Sequence, residues 1–92
     1  MQVQIIESKE VTHKNIGRYV YATMKCGKQT MVVSVGSGSV TALVQNASHR
    51  AWKGFGKTFR TFDEAFGNYK SAEARAMLDA ARTLWNGQEV AA

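Results

Sequence analysis

Near residue 60 the hydrophobic period of the chain changes from two to 3.6, which restricts the fold more than any composition figure does. From Ile16 to Cys26 an extended chain would carry Ile16, Val20, Ala22, Met24 and Cys26 on one face and Tyr19, Tyr21, Thr23 and Lys25 on the other. Gly27-Lys28 reads as a tight hairpin turn, the glycine supplying a positive φ. Residues 29–35 repeat the alternation, with Met31, Val33 and Val35 opposed to Thr30, Val32 and Ser34. Gly36-Ser37-Gly38 then turns the chain into a fourth strand from Ser39 to about Gln45. Residues 2–8, rich in Val and Ile, suit a first strand at the edge of the sheet, with Ser8 to Asn15 as a polar link.

The C-terminal third has helical spacing. Thr61 followed by Glu64 has the pattern of a capping box, so Phe62 opens a short helix that turns Phe62, Ala65, Phe66 and Tyr69 to the core. Gly67 limits its length. Ser71 caps a second helix over residues 72–86, with the apolar stripe Ala74, Met77, Leu78, Ala81, Leu84 and Trp85, and Gly87 is placed to end it. Strands first and helices after imply an α+β fold: an antiparallel meander of about four strands, order β-β-β-β-α-α, with both C-terminal helices on one face. The chain of 92 residues is long enough for one domain, 1–92.

A sheet covered on one side leaves its other side wet. That face inherits Tyr19, Tyr21, Thr23 and Lys25, with Thr30, Ser34, Thr41 and Gln45. Aromatic rings beside basic residues on an open sheet serve single-stranded nucleic acid readers as stacking surfaces. The same tyrosines and threonines also simply favour strands.

Charge is segregated along the chain. Between Val11 and Phe62 there is no aspartate or glutamate, while Lys14, Arg18, Lys25, Lys28, Arg50, Lys53, Lys57 and Arg60 give that window +8 against a net charge of +5 for the whole chain. A positive field attracts phosphate backbones or acidic protein surfaces, so an anionic partner is expected. Lys28 is expected at a hairpin tip with nothing acidic nearby.

The densest polar and aromatic segment, Asn46 to Lys57, follows the fourth strand and should be loop or irregular edge. Arg50, Trp52 and Lys53 there can offer phosphate contacts and a stacking plane, or a hot spot for an acidic protein surface. Alternatively, Trp52 tucks under the helices while His49 and Asn46 bond local backbone. Gly54-Phe55-Gly56-Lys57-Thr58 ends like a phosphate loop, but its glycines are too close together and no helix starts at Lys57.

Catalytic and metal chemistry are not expected. His13 and His49 are the only histidines, and Cys26 is the single cysteine, unable to form an internal disulfide or a metal cage. Cys26 reads as a strand residue in a protein of a reducing cytoplasm. No signal peptide or membrane-length apolar run is apparent.

Three segments carry a family resemblance: Val44-Gln45-Asn46-Ala47-Ser48-His49-Arg50-Ala51-Trp52, Gly54-Phe55-Gly56-Lys57-Thr58-Phe59, and Tyr69-Lys70-Ser71 leading into Ala76-Met77-Leu78. They resemble small bacterial, plasmid and phage proteins, most without an assigned activity. In size, basic balance and strand-then-helix order the chain also resembles phage anti-CRISPR proteins that inhibit the type I-F surveillance complex. The resemblance implies a non-enzymatic inhibitor in the bacterial cytoplasm. It would bind Cas proteins of a type I effector, or the guide RNA between them, and block recognition of target DNA.

Two functions are therefore carried forward. One is that inhibitor, docking through Lys28, Arg50, Trp52, Lys53 and Lys57. The other is a small basic nucleic-acid-binding module using Tyr19, Tyr21 and Lys25. Neither requires a cofactor, a metal, a membrane, a small-molecule substrate or an oligomer.

Overall fold

The computed structural model describes residues 2–45 and 56–87. Five strands, β1 (Gln4–His13), β2 (Gly17–Cys26), β3 (Gln29–Gly36), β4 (Ser39–Gln45) and β5 (Lys57–Phe59), precede two helices, α1 (Phe62–Asn68) and α2 (Ala72–Trp85). The strands form one antiparallel sheet in sequence order, a meander with β1 and β5 at its edges. The expected α+β class, strand-then-helix order and packing of the helices on the sheet all hold.

Three details differ from the sequence reading. The first strand continues through the supposed polar link to His13, leaving only Lys14, Asn15 and Ile16 in the turn before Gly17. Its polar run forms a strand because β2 satisfies its backbone on one side, and an edge needs no buried alternation. Ile16, assigned to the inward face, sits in that turn and is 62% exposed. A fifth, three-residue strand pairs with β4 through Val40–Phe59, Thr41–Thr58 and Ala42–Lys57. It is too short to show a period, and what seats it is close backbone approach. A Cβ on Gly56 would lie 2.9 Å from the Ala42 carbonyl oxygen.

The core forms where the two periodicities meet. Met24, Met31, Val33 and Val35 from β2 and β3 share one buried cluster with Ala65 of α1 and with Ala74, Met77, Leu78, Ala80 and Ala81 of α2. Phe59, Phe62, Phe66, Tyr69, Leu84 and Trp85 pack around it, half-buried.

Polar contacts at the helix ends hold this arrangement in register. Thr61 Oγ1 accepts from the Glu64 amide at 3.2 Å, while Glu64 Oε2 accepts from the amide of Arg60, one residue earlier than a standard capping box requires. Ser71 Oγ accepts from the Ala74 amide at 3.1 Å and donates to Gln29 Oε1 at 2.8 Å, tying the start of α2 to the β2–β3 hairpin. Arg75 donates to the carbonyls of Phe66 and Tyr69, where α1 has no basic residue of its own. The Tyr69 hydroxyl donates to the Ala42 carbonyl at 3.2 Å, and burial raises its pKa. At the far end of α2, Arg18 Nη1 donates to the Trp85 carbonyl at 2.7 Å with its guanidinium over the indole, and Nε bonds Glu10 at 2.7 Å. A cation at a helix C-terminus is favoured by the dipole as well as by the bond.

Cys26 lies in the core at 1% exposure, as a strand residue, and burial followed by the nearby Glu73 carboxylate pushes its thiol pKa up. The folded state therefore favours the protonated thiol. That contribution is complete below the ordinary thiol range, about 8.5, and is lost as pH rises above it. Native protein should be alkylated at Cys26 orders of magnitude more slowly than protein in denaturant, and should lose stability as pH climbs past that range. Fast native alkylation would show that the thiol is open to solvent.

Leu78 is fully buried at the centre of the α2 stripe. Leu78→Ala should cost about 2–5 kcal/mol in chemical denaturation, by leaving a cavity under the sheet.

Candidate functional site on the open face of the sheet

Antiparallel register sorts every strand residue onto one of two faces, because directly opposed residues point the same way. On the face away from the helices, Val11, Tyr19, Gly36 and Ser39 form one row across the sheet. Lys9, Tyr21, Ser34, Thr41 and Thr58 form the next, then Glu7, Thr23, Val32 and Leu43, then Gln4, Lys25, Thr30 and Gln45. Tyr19, Tyr21 and Lys25, read from the sequence as one surface, do share this face. Along β2, Lys25 stands roughly 14 Å from Tyr21.

The aromatic residues of this face form a defined cluster. The Tyr19 and Tyr21 rings lie 6.1 Å apart at 21° to one another, and the His13 ring meets Tyr19 edge-on at 5.4 Å. His13 Nε2 and the Tyr21 hydroxyl make a long contact at 3.4 Å. Tyr19 is half-buried because it takes up the space above Gly36: a Cβ there would fall 2.4 Å from its Cε1. An aromatic ring over a cross-strand glycine replaces the side-chain packing that the glycine lacks. Tyr21, opposite the smaller Ser34, is 36% exposed. It forms one wall of a shallow depression of about 150 Å³, whose other lining includes Lys9, Glu7, Thr23 and Val32.

The remaining candidates do not gather here. Lys57 is paired with Ala42 on the helix-covered face and reaches toward Asn68 Oδ1 at 3.5 Å. Lys28 is exposed at the tip of the β2–β3 hairpin, and the surroundings expected for it need correction. Glu73 stands beside that turn, its γ-carbon 3.5 Å from where a Cβ on Gly27 would be. An acid distant in sequence is brought there by the start of α2. Arg50, Trp52 and Lys53 lie outside the described residues. Thr30 does lie on the open face, between Lys25 and Gln45, but it is not wet: it is buried at 3% exposure.

Among the described residues the basic window does not become one patch. Arg18 bonds Glu10 and the end of α2, Lys25 lies on the open face, Lys57 lies on the covered one, and Lys14 sits in the β1–β2 turn. Acids segregate more cleanly. Asp63, Glu64, Glu73 and Asp79 belong to the helices and Glu10 to the covered face, so Glu7 is the single acid among the described residues of the open face.

Sequence reasoning missed His13, Lys9 and Gly36. The turn at residues 14–17 held the signal for the first two. Extending strand one to His13 sets Lys9 opposite Tyr21 and Val11 opposite Tyr19. Among the described residues no group of three or more His, Cys, Asp or Glu side chains is placed to hold a metal, and no helix is long and apolar enough to cross a membrane. No protein-family model, curated protein or solved structure matches the chain, so the functional reading stands on this geometry.

Gly36→Ala should displace the Tyr19 ring and destabilise the fold by about 1–3 kcal/mol. Combined with Tyr19→Ala, which empties the space, its cost should shrink. A double-mutant cycle measures that coupling, and strict additivity would mean the ring does not rest on Gly36.

Proposed function

We propose that this chain is a non-enzymatic nucleic-acid-binding module that takes unpaired bases on the open face of its sheet. Tyr21 and Tyr19 stack bases, and Lys25 and Lys9 meet phosphates. The observation that carries the reading is the pair of near-parallel tyrosine rings on the face away from the helices, flanked by lysines where Glu7 is the single described acid. Stacking on an aromatic ring needs an exposed base face, which a duplex hides and a single strand offers, and it tolerates any base. Tyr19 is braced by Gly36 and His13, so its ring is held in place before a ligand arrives, while the more exposed Tyr21 has more surface to offer. The compartment this reading implies is the cytoplasm of a bacterial host, which suits the free Cys26.

The alternative proposal rests on the sequence resemblance: an inhibitor that docks on Cas proteins of a type I effector or on its guide RNA. Of its anchors within the described residues, Lys28 lies at the hairpin tip and Lys57 on the helix-covered face, so they do not define a single surface.

Fluorescence anisotropy with a labelled single-stranded oligonucleotide, and with its duplex, separates the readings. Single strands should bind more tightly than duplex, with affinity falling as salt rises. Lys25→Ala should flatten the salt slope by about 0.7, the value of one phosphate contact on a single strand. Tyr21→Ala should cost about 1–3 kcal/mol of binding. Absence of single-strand binding at low salt, or binding indifferent to Tyr21, would overturn the proposal. Recovery of Cas subunits free of nucleic acid from cells carrying a type I-F system would favour the inhibitor.

A further inference from the structure

We propose that β1 is a self-association edge, along which two copies of this chain pair antiparallel about Ser8 and join their sheets. The inference is independent of the nucleic-acid reading. Among the described residues β1 is paired on one side only, by β2, so the backbone N–H and C=O groups of alternate residues point outward from the sheet. It is ten residues long, against three for β5 at the opposite edge. Exposed edges are usually blunted by charge and by bulges, and β1 has both: Glu7, Lys9 and Glu10, with a register break between Ile5 and Glu7. Those charges repel most strands but fit one partner in one register.

Two antiparallel copies keep their open faces on the same side only when the paired residue numbers sum to an even value, because side chains alternate between faces. With Glu7 on the axis, two carboxylates meet, and with Lys9 on the axis, two ammonium groups meet. With Ser8 on the axis, Glu7 of each copy stands opposite Lys9 of the other, twice, on the open face. Opposite charges directly across a strand pair stabilise it, and like charges destabilise it. Neither residue is already engaged, since the ion pairs of the described residues are Arg18–Glu10 and Arg82–Asp79. The bulge at Ile6 falls opposite Glu10 and ends the pairing symmetrically, which keeps the contact short and the association weak. Nothing in the linear sequence points to an oligomer; the exposed edge does.

Sedimentation equilibrium on the full chain over a range of concentrations tests this, with circular dichroism as a check of folding. The wild-type chain should pass from one chain mass to two as concentration rises. Lys9→Glu and Glu7→Lys should each weaken self-association roughly tenfold or more, since either change sets two like pairs across the axis. The double exchange Glu7→Lys/Lys9→Glu should restore it. An equimolar mixture of the two single variants should also pair, because their charges are complementary in the same register. A wild-type chain that stays monomeric at its highest soluble concentration would overturn the proposal. So would a folded Lys9→Glu variant that self-associates as the wild type does, or single variants that fail to pair when mixed.

Discussion

Burial of one face of the sheet under α2 is the constraint on which the rest of the molecule depends. Met24 and Met31 on the central strands, with Met77 and Leu78 on the helix, have no exposed surface. Once these residues point inward, the period of two leaves no choice for their neighbours. Tyr21, Thr23 and Lys25 must point the other way, and a slip of one residue would put a lysine in the core and a methionine in water. The open face is thus the consequence of the hydrophobic one. Its chemistry is set by which residues fill the alternate positions.

The contacts that place α2 also engage several basic side chains that a charge count would treat as free. Arg18 has the charge of a phosphate-binding side chain, yet it caps the helix, covers Trp85 and pairs with Glu10. Arg75 and Arg82 lie over Phe66, and Arg75 also closes the end of α1. Such guanidiniums exchange part of their water for carbonyl, carboxylate and aromatic partners. A count of basic residues therefore overstates the positive charge free to meet a ligand. Among the described residues what remains on the open face is modest, Lys9 and Lys25 against Glu7, so the proposed binding mode leans on base stacking there.

The parts legible in the sequence were those with a repeating physical cause. Strands two to four, their turns, the capping residues Thr61 and Ser71 and the apolar stripe of α2 all follow from periodicity or from local hydrogen bonding, so they could be read without knowing the fold. The parts that escaped depend on partners distant in sequence. β1 from Lys9 to His13 looks like a link because it is polar, and only its ladder to β2 makes it a strand. β5 exists because Gly56 lets the backbone approach Ala42 closely. Of the site, Tyr19, Tyr21 and Lys25 were visible through alternation. His13, Lys9 and Gly36 were not, because cross-strand register brings them there. Glu73 stands beside the Lys28 turn for a different long-range reason, the seating of the start of α2 against that hairpin. Charge segregation along the chain was legible as well, but linear order does not determine surface order in a meander, where consecutive residues alternate between faces.

The open face and the free edge are linked through Lys9. In a single chain Lys9 stands opposite Tyr21, where the proposed binding mode has it meet a phosphate beside a stacked base. In a pair formed about Ser8 its ammonium group faces Glu7 of the other copy, so the same charge is directed sideways, and Lys25, four residues from Tyr21 along β2, is left as the cation nearest the phosphates. Pairing would also make the two open faces continuous, with the Tyr21 rows of both copies on either side of the axis. A strand long enough to cross the axis would then gain stacking positions while losing a phosphate contact on each side. Affinity in the paired form should consequently depend less on salt and more on ligand length than in the single chain, since stacking is insensitive to ionic strength and counterion release is not.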